Sequence, residues 1–584
     1  MSRIAVVKKE DCNPVGCGNY LCIRVCPINR KGENCIFKGD DRKIGIDETL
    51  CIGCNICVKK CPFEAISIIN LPEELKKTPI HQYGKNGFHL YNLPIPQFGK
   101  VVGLLGINGI GKSTAMQALG GLLKPNLGKE GESTYDELIQ FFKGTEAQKY
   151  FEKVKNGEIV VAYKLQQVDL INRQFNGKVR DLLEKVNEKN ELDKVCNALG
   201  IEMILDNDIK TISGGELQRV AIAATILKKA NLYIFDEPTS YLDVKQRIII
   251  SKFIRGLANE NTAVLVVEHD LIILDYMTDS VHLMYGKPGA YGIVSLPKTT
   301  KAGINAYLEG YMADANVRFR DHRIKFEKNA FKKKKEGGII LTEWIDLKKT
   351  LNNFNLTASK SILYRHEVVG VLGENGIGKT SFIKILAGEI QPDTGKIEKS
   401  VKVSYKPQYL KNDSDELVMV TLRDAIAKYD TEIIRPLNIK PLFTKQLNQL
   451  SGGELQKIAI ALCLSKDAEL YLMDEPSAYL DVEQRLVTAR VIKDLMENKG
   501  KTAFIVDHDL LFLDFLSEKL AVFEGEPAKS GKLNAILSME NGMNMFLKNL
   551  NLTFRRDIES GRPRANKPGS IKDREQKNAN KYYY

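Results

Sequence analysis

Two glycine-rich segments of the 584-residue sequence carry the residue types that hold the phosphates of a nucleotide. They read Gly106-Ile-Asn-Gly-Ile-Gly-Lys-Ser113 and Gly373-Glu-Asn-Gly-Ile-Gly-Lys-Thr380, and each follows an apolar run and opens a helical pattern. In such a loop, backbone N–H groups and a helix start surround the phosphate oxygens, the lysine reaches the β- and γ-phosphates, and the hydroxyl binds Mg²⁺. Two matches in the same context predict two ATP sites, each with Mg²⁺.

A pair of adjacent carboxylates follows an apolar strand pattern in each half of the chain. Asp236 and Glu237 end one such run, and Asp474 and Glu475 end the matching run. The aspartate is placed to hold the Mg²⁺ shell, and the glutamate is placed to orient or deprotonate the attacking water. The alternative interpretation is a buried structural carboxylate in each place.

The repeat extends beyond the phosphate loops, because further motifs recur in the same order. Ser213-Gly-Gly-Glu-Leu-Gln218 matches Ser451-Gly-Gly-Glu-Leu-Gln456, and each serine precedes a helical run. A helix start with a serine and exposed amides favours the binding of an anion. Ser240-Tyr-Leu-Asp243 likewise matches Ala478-Tyr-Leu-Asp481, and Glu268-His-Asp270 matches Asp507-His-Asp509. The chain therefore contains two copies of one module.

The two copies differ in length between their first two motifs. Lys112 and Lys379 lie 267 positions apart, whereas Ser213 and Ser451 lie 238 apart. The first copy therefore carries extra residues, which we place at 130–157 and which predict a helix, a turn and a second helix. Such a segment is a candidate partner-binding site, and ordinary variation in loop length is the alternative.

In these motifs the sequence resembles the ATP-binding-cassette family, from about residue 80 to residue 540. The resemblance implies that the Ser-Gly-Gly-Glu signature of each module completes the site of the other, so that Lys112 faces Ser451 and Lys379 faces Ser213. ATP would then close the two modules as a clamp, and its hydrolysis would release them. The predicted catalytic residues are Glu237, Glu475, His269 and His508.

The predicted contacts to the nucleotide come from these motifs and from aromatic residues that precede each phosphate loop. In the first module they are Tyr83, Phe88, Asn108, Gly109, Gly111, Lys112, Ser113, Thr114, Gln166, Ser213, Gly215, Asp236 and Asp243. In the second module they are Phe354, Asn375, Gly376, Gly378, Lys379, Thr380, Ser381, Gln408, Ser451, Gly453, Asp474 and Asp481. The surroundings of Gln166 depart from the pattern around Gln408, and the aromatic residues differ, so the two sites are expected to differ in affinity or turnover.

Nine of the eleven cysteines lie before residue 62, which predicts metal ligation in a reducing compartment. The two runs are Cys12-x₄-Cys17-x₄-Cys22-x₃-Cys26-Pro27 and Cys51-x₂-Cys54-x₂-Cys57-x₃-Cys61-Pro62. In two-cluster ferredoxins the fourth cysteine of each run binds the other cluster. This assigns Cys51, Cys54, Cys57 and Cys26 to one [4Fe–4S] cluster, and Cys12, Cys17, Cys22 and Cys61 to the other. Zinc held by four cysteines is the alternative. Cys35, Cys196 and Cys463 are expected to be ordinary cysteines.

Composition and charge indicate a soluble protein of several domains. Hydrophobic residues make up 43% and charged residues 27%, and no apolar run reaches the roughly 18 residues of a membrane span. No signal peptide is evident, so we expect a cytoplasmic protein with no membrane partner. The net charge of +12 is unevenly placed, with basic clusters at Lys332–Lys335 and in the tail Phe554–Tyr584. These clusters indicate either a solvated surface or contact with nucleic-acid phosphates.

The sequence predicts an α/β protein with a ferredoxin-like iron–sulfur domain and two ATP-binding-cassette domains arranged head to tail. Hinge elements are inferred from a second repeat, in which Gly303-Ile-Asn-Ala-Tyr-Leu308 and Val317-Arg-Phe-Arg320 echo Gly542-Met-Asn-Met-Phe-Leu547 and Thr553-Phe-Arg-Arg556. The predicted domains are 1–75 (iron–sulfur), 76–297 (first cassette), 298–338 (hinge, flexible at Phe331–Gly338), 339–540 (second cassette) and 541–584 (C-terminal hinge and basic tail).

An iron–sulfur head fused to two cassettes without a membrane domain resembles the RNase L inhibitor family, subfamily E of the ATP-binding-cassette proteins. The resemblance covers essentially the whole chain, including Leu50-Cys-Ile-Gly-Cys54 and Gly561-Arg-Pro-Arg-Ala-Asn566, and the first cysteine run is closer to archaeal members. It implies an ATP-driven ribosome-recycling factor. Such a factor splits ribosomes into subunits after termination or rescue and stays on the small subunit, with a link to initiation.

The resemblance also implies cofactors and partners. A monomer with ATP, Mg²⁺ and two [4Fe–4S] clusters would bind the small ribosomal subunit and its RNA, a release factor or Pelota-type rescue factor, and initiation factors. Lysines and arginines of the insertion and of the hinge repeats would contact RNA phosphates. From the residues alone, two other classes stay open: the soluble ATPase subunit of a transporter and an ATP-coupled iron–sulfur redox protein.

Overall fold

The computed structural model describes residues 3–39, 41–48, 50–70, 78–320, 323, 324, 326, 338–398, 401–408 and 414–584. The chain folds into two compact units. One contains Met1–Pro238, Ile254–Glu268 and Thr278–His322, and the other contains Thr239–Phe253, His269–Met277 and Arg323–Tyr584. Two segments of the first cassette, 239–253 and 269–277, therefore pack with the second cassette. The predicted boundary between residues 75 and 76, the basic run Lys332–Lys335 and the flexible segment at 331–337 lie outside the described residues.

The head, within residues 3–70, is a small α/β fold. Strand β1 (Arg3–Val7) pairs antiparallel with β4 (Ile66–Asn70), and β2 (Ile36–Lys38) pairs antiparallel with β3 (Ile44–Ile46). Its helices are α1 (Leu21–Val25), α2 (Pro27–Arg30) and α3 (Ile56–Lys60). Its core consists of cysteines together with a few isoleucine, alanine and valine side chains. A core of this size supplies little stability, so bound metal would contribute much of the folding free energy.

The first cassette is built on one sheet. Its strands are β5 (His81–Gln82), β6 (His89–Tyr91), β7 (Val101–Leu105), β8 (Val161–Lys164), β9 (Leu232–Asp236), β10 (Ala263–Val267), β11 (Ser280–Lys287), β12 (Tyr291–Val294) and β13 (Lys298–Thr299). The strand order is β5-β6-β12-β11-β7-β10-β9-β8, and β13 pairs with β11. The strands from β11 to β8 run parallel. Strands β7, β9 and β10 are buried throughout, which explains their continuous apolar runs.

The helices of the first cassette cover this sheet and lead into the first hinge. They are α4 (Lys112–Leu119), α5 (Tyr135–Phe141), α6 (Glu146–Lys155), α7 (Asp169–Gln174), α8 (Val179–Lys185), α9 (Leu192–Leu199), α10 (Gly214–Ile226), α11 (Val244–Leu257), α12 (Leu271–Met277) and α13 (Thr300–Glu309). The short strands β14 (Tyr311–Met312) and β15 (Val317–Arg318) follow α13 and pair with each other.

The second cassette repeats this plan. Its strands are β16 (Ile340–Leu351), β17 (Phe354–Ala358), β18 (Ser361–Tyr364), β19 (Val368–Leu372), β20 (Thr394–Ile397), β21 (Val403–Lys406), β22 (Leu470–Asp474), β23 (Thr502–Val506), β24 (Lys519–Glu526) and β25 (Ser530–Ser538). The order is β18-β16-β17-β25-β24-β19-β23-β22-β21, and β20 pairs with β16. The strand before each phosphate loop, β7 or β19, lies between two parallel neighbours, so both loops occupy the carboxyl edge of a sheet centre.

The helices of the second cassette end in the C-terminal hinge. They are α14 (Lys379–Leu386), α15 (Val418–Thr421), α16 (Arg423–Tyr429), α17 (Gly452–Ser465), α18 (Val482–Lys499), α19 (Leu510–Leu516), α20 (Met539–Asn549) and α21 (Ile571–Asn578). Strands β26 (Phe554–Arg556) and β27 (Pro563–Ala565) pair after α20, as β14 and β15 do after α13. Each predicted hinge repeat is thus a helix followed by a strand pair.

The segment 130–157, which the sequence predicts to be a helix–turn–helix insertion, contains the helices α5 and α6. Thr134 starts α5 with a capping box to Glu137. The apolar faces of both helices, including Leu138 and Phe151, join the core of the first cassette. Part of the basic surface is neutralised locally, because Lys155 lies 2.5 Å from Asp136. Contact of this segment with RNA stays a prediction.

The basic tail uses several of its arginines inside the protein. Arg562 and Arg564 donate to the buried carboxylate of Asp275 at 3.1 and 2.6 Å, and Arg556 lies 3.4 Å from buried Asp514. These three arginines are therefore held by carboxylates of the protein itself, and their predicted contact with nucleic acid stays a prediction. Burial of a carboxylate requires a paired cation, and these guanidinium groups supply it.

Within the described part of the chain, every helix is too short or too polar to cross a bilayer.

Candidate functional site

In the first phosphate loop, the side chain of Lys112 lies within the loop, where it can bind an anion. Gly109 and Gly111 adopt φ of 73° and 94°, a region that favours glycine, and α4 begins directly after Gly111. Lys112 is buried, and its Nζ donates to the carbonyls of Gly106 and Ile107 at 2.9 Å. Backbone oxygens thus satisfy the ammonium group in the place where phosphate oxygens would bind.

The first carboxylate pair lies beside this loop. Ser113 Oγ donates to Asp236 Oδ2 at 2.7 Å. Burial raises the pKa of Asp236, and the hydrogen bond from Ser113 partly opposes that rise. Gln166 Nε2 donates to Glu237 Oε1 at 2.8 Å, and buried Lys164 donates to the backbone carbonyls of both acids at 3.0 and 3.3 Å.

The second loop has the same bond pattern. Lys379 Nζ donates to the carbonyls of Gly373, at 2.8 Å, and Glu374, and Thr380 Oγ1 donates to Asp474 Oδ2 at 2.6 Å. Burial lowers the pKa of Lys379 to about 8, although surrounding carboxylates oppose this. The glycines Gly376 and Gly378 adopt φ of 74° and 88°.

The second glutamate has a histidine partner. Gln408 Nε2 donates to Glu475 Oε1 at 2.8 Å, and His508 Nε2 lies 3.5 Å from the same oxygen. Burial alone would raise the pKa of Glu475, but the hydrogen bonds of His508 and Gln408 and the charge of Lys379 outweigh it and lower this pKa to about 2. The carboxylate is therefore ionised at neutral pH and can accept a hydrogen bond from water.

The two predicted catalytic histidines have similar surroundings. His269 and His508 are both buried. The aspartate that follows each one pairs with an arginine, Arg247 with Asp270 at 3.0 Å and Arg485 with Asp509 at 2.8 Å. The contacts of Gln166 and Gln408 are likewise equal, although the local sequence differs around Gln166.

Both predicted catalytic glutamates have a strained backbone. Glu237 and Glu475 each adopt a φ of 48°, in the left-handed region that residues with a side chain rarely enter. Tyr241 and Tyr479, four positions further on, have φ of 66° and 62°. Such conformations cost about 1–3 kcal/mol each and are held by surrounding structure. Gln218 Nε2 donates to the backbone carbonyl of Glu237 at 2.8 Å, and Gln456 Nε2 donates to that of Glu475 at 2.6 Å. These hydrogen bonds provide part of that support.

The signature serines lie at helix starts, as their motif predicts. Ser213 and Ser451 cap α10 and α17 through capping boxes with Glu216 and Glu454. Each hydroxyl donates to its glutamate, at 2.7 and 2.8 Å. The hydroxyls are therefore preoriented beside the first-turn amides. The predicted facing of Lys112 with Ser451 and of Lys379 with Ser213 stays a prediction.

The aromatic residues lie against the phosphate loops. A Cβ at Gly111 would lie 2.5 Å from the ring of Phe88, and one at Gly378 would lie 2.8 Å from Phe354. Tyr83 is half-exposed, and its hydroxyl lies 3.4 Å from Thr114 Oγ1. A ring next to each loop fits the predicted stacking of adenine.

The remaining predicted residues complete the loops and the helix starts around them. Asn108 Oδ1 lies 3.5 Å from Lys112 Nζ, and Asp481 Oδ1 accepts the N–H of Gln484 at 2.9 Å to cap α18. The signature glycines Gly215 and Gly453 fall in the first turns of α10 and α17, and Ser381 in that of α14.

One predicted residue of the first module contacts the second loop. Asp243 Oδ1 caps α11 by accepting the N–H of Gln246 at 2.9 Å, and its Oδ2 accepts the N–H of Asn375 at 3.0 Å. Close by, Lys245 Nζ lies 2.8 Å from Glu374 Oε1. The rings of Tyr241 and Tyr479 meet edge to face at 6.3 Å. Sequence patterns did not indicate the pair of Lys245 and Glu374.

The cysteines of the head surround two cavities. One is lined by Cys12, Cys17, Cys22 and Cys61, and the other by Cys26, Cys51, Cys54 and Cys57. These are the two sets that the crossing of the fourth cysteines predicts. Burial raises the pKa of Cys22 to about 11 and of Cys57 to about 12, so metal binding there must displace a thiol proton.

Cys35 lies closer to the candidate metal ligands than its sequence position suggests. It is 1% exposed and lines the cavity of Cys26 and Cys51. Burial raises the pKa of this thiol to about 12, with further increases from Cys26 and Cys51. Cys463 is an ordinary buried cysteine in α17 that accepts from Ser404 Oγ at 3.4 Å, and Cys196 is buried in α9.

The head contacts the loop that carries the aromatic residues Tyr83 and Phe88 of the first site. Asn86, between Tyr83 and Phe88, is buried, and its side chain bonds to the N–H and C=O of Ile46 at 2.8 and 2.9 Å. Its Nδ2 also lies 3.4 Å from Glu48. No local motif indicates this contact, which sequence reasoning missed.

Comparisons with known proteins match both parts of the chain. The family model for ABC transporters matches residues 92–240 and 353–478, and the model for the 4Fe-4S binding domain matches residues 44–67. An uncharacterised ABC transporter ATP-binding protein of Methanocaldococcus jannaschii is 49% identical over 100% of this chain and 97% of its own length.

Two further proteins are similar over the full length of the chain. The translation initiation factor RLI1 of Saccharomyces cerevisiae is 43% identical over 100% of this chain and 98% of its own. A model of ribosome-bound archaeal Pelota and ABCE1 contains a chain with 50% identity and a TM-score of 0.93, covering 100% of this chain and 99% of that one.

Proposed function

The chain belongs to the E family of ABC proteins, which includes RLI1 and archaeal ABCE1, and from this premise we propose that it uses ATP to split ribosomes into subunits. It acts after termination or rescue, together with a release factor or a Pelota-type factor. It then stays on the small subunit, where it is linked to initiation. The observation that carries the proposal is the match over the whole chain to a ribosome-bound protein.

The chain is an ATPase, and we assign its chemistry to two equivalent sets of side chains. Lys112 and Lys379 bind the β- and γ-phosphates, and Glu237 and Glu475 position or deprotonate the attacking water. His269 and His508 each lie two positions after the end of a strand, β10 and β23 respectively. The distance from His508 to Glu475 supports a role in holding the glutamate and the γ-phosphate together.

The hydroxyl and carboxylate of each site fit Mg²⁺. Ser113 and Asp236 present hard oxygen atoms 2.7 Å apart, and Thr380 and Asp474 present theirs 2.6 Å apart. Oxygen donors beside a phosphate loop are the usual protein ligands of this ion. When bound, Mg²⁺ would neutralise charge on the β- and γ-phosphates.

The head fits two [4Fe–4S] clusters. One cavity is lined by four cysteines, and the other by the four predicted ligands together with Cys35, so each offers the four thiols that one cluster requires. The match of residues 44–67 to the family model for the 4Fe-4S binding domain favours clusters over zinc. Cys12, Cys17, Cys22 and Cys61 would hold one cluster, and Cys26, Cys51, Cys54 and Cys57 the other.

Nucleotide at the first site can act on the head through a short path. Asn86 fixes the loop of Tyr83 and Phe88 to β3, and Val6 of β1 packs in one cluster with Tyr91 and Ile293 of the cassette. A change in the aromatic loop on binding adenine would therefore be transmitted to the head. This supports a mechanical use of the clusters, as stiffeners of a small domain.

A subunit-splitting assay tests the proposal. Purified ribosomes are incubated with a Pelota-type factor, ATP and the protein, and subunits are separated on a sucrose gradient. We expect free subunits with the parent protein. With Glu237→Gln or Glu475→Gln, we expect the protein to stay trapped on the small subunit, because the clamp closes on ATP and cannot release it. With a non-hydrolysable ATP analogue, the protein should co-sediment with the small subunit. Intact ribosomes under all conditions, with ATPase activity preserved, would contradict the proposal and favour a transporter ATPase.

A further inference from the structure

The pair of Lys245 and Glu374 joins the first module to the second phosphate loop. Lys245 lies two positions after Asp243, at the start of α11, and Glu374 is the second residue of the loop. The ammonium lies 2.8 Å from the carboxylate, and Asp243 accepts the N–H of the next residue, Asn375. Two adjacent loop residues therefore hold one short segment of the other module.

Glu374 carries a negative charge where the loop receives an anion. The carbonyl of Glu374 accepts from Lys379 Nζ, and its carboxylate belongs to the charges that act on that ammonium. A carboxylate so placed repels a polyphosphate unless a cation neutralises it. Lys245 is the cation that lies on it.

The sister loop has no such charge. Ile107 occupies the position of Glu374 in the first phosphate loop, and Glu483 occupies the position of Lys245. An isoleucine cannot form an ion pair, so this arrangement is specific to the second site. The first phosphate loop therefore serves as an internal control, because it lacks the acidic residue of the second loop.

We propose that Glu374 and Lys245 form an electrostatic gate that makes ATP affinity at the second site depend on docking of the first module's segment 243–245. With the segment docked, Lys245 cancels the repulsion by Glu374, and the loop binds ATP. With the segment withdrawn, the exposed carboxylate weakens binding. Both are positioning residues, and the inference rests on the proposed ATP site at Lys379.

A double-mutant cycle tests the gate. The full chain carries Lys112→Ala, so that the first loop does not bind, and Glu475→Gln, so that the second does not hydrolyse, and a fluorescent ATP analogue is titrated. Because exposed ion pairs contribute up to about 1 kcal/mol, Lys245→Ala should raise the dissociation constant about two- to fivefold at low ionic strength. The effect should shrink in about 1 M salt, where charges are screened within roughly 3 Å.

The companion variants separate a gate from a general structural role. Glu374→Ile, which copies the first loop, should make Lys245→Ala silent, and Lys245→Arg should keep the parent affinity. In a Lys379→Ala protein, which reports the first site, Lys245→Ala should change nothing, whereas Ile107→Glu should weaken binding.

Additive effects of Lys245→Ala and Glu374→Ile, or an equal loss at both sites, would overturn the gate. These titrations contain no ribosomes, so a failure of subunit splitting leaves the result intact. If the analogue does not bind the second loop of the parent background at all, the proposed ATP site fails instead, and the gate with it.

Discussion

The two phosphate-loop sites have the same hydrogen bonds and different attachments. In each, a lysine donates to loop carbonyls, a hydroxyl donates to an aspartate and a glutamine donates to a glutamate. The first site is attached to the head through Asn86. The second is attached to the first module through Asp243 and Lys245. Because the hydrogen bonds are equal and the attachments are not, we expect the same hydrolytic chemistry at both sites. The expected difference in affinity or turnover would then come from the attachments.

Removal of each glutamate should produce the largest effect and test the equality of the chemistry. Glu237→Gln and Glu475→Gln each keep the shape of the side chain and remove the proton acceptor. General base catalysis contributes about 100- to 10,000-fold, so turnover at the altered site should fall by that factor. Single-turnover hydrolysis in the Lys112→Ala and Lys379→Ala backgrounds measures the sites separately.

A matched control is Glu497→Gln, on the surface of α18. It should hydrolyse ATP at the parent rate. If one of the two glutamate variants also turned over at the parent rate, the sites would differ in chemistry, and the comparison would be wrong.

The pKa of Lys379 predicts a pH dependence at the second site. Burial lowers this pKa to about 8, so the ammonium is charged below pH 8 and loses its proton above it. Since ATP binds the charged form, binding above pH 8 must take up a proton, and the dissociation constant should rise about tenfold per pH unit. Equilibrium titrations from pH 7 to pH 9.5 in the Lys112→Ala, Glu475→Gln protein measure this.

Lys379→Arg provides the control, because a guanidinium stays charged over this range. Its affinity should not change with pH. A constant affinity of the lysine protein between pH 8 and 9.5 would show that the bound ammonium is not the titrating group.

The smallest expected effect concerns the head. Asn86→Ala removes the partners of the Ile46 N–H and C=O, which should destabilise the head by about 1–3 kcal/mol. Thermal unfolding and limited proteolysis of residues 3–70 measure the loss. Asn353→Ala, in the exposed turn of the second cassette that precedes Phe354, is the matched variant and should be neutral. If Asn86→Ala and Asn353→Ala were equally stable, Asn86 would not attach the head to the first site, and this difference between the two sites would be wrong.

Much of the fold could be predicted because its signals are local. The apolar runs before Gly106 and Gly373 predict buried parallel strands, and the loop and carboxylate motifs lie at strand ends by the nature of such sheets. The cysteine spacing predicts the two sets that line the cavities. In each case the residues that meet in space belong to a short motif.

The unpredicted contacts join residues far apart in the sequence. Asn86 and Ile46 are separated by 40 positions, and Arg564 and Asp275 by 289. A single asparagine or a basic tail carries no sequence pattern from which its distant partner could be predicted. Arg562 and Arg564 thus suggested phosphate binding, whereas a buried carboxylate holds them.

The left-handed backbone at Glu237 and Glu475 has a consequence for the design of a hardier protein. Glycine adopts a φ of 48° without strain, so a search for thermal stability would favour it at both positions. The resulting protein would lack both of the carboxylates that we propose to activate water. At these two residues, thermal stability favours glycine and ATP turnover favours glutamate, so a gain in stability there would cost activity.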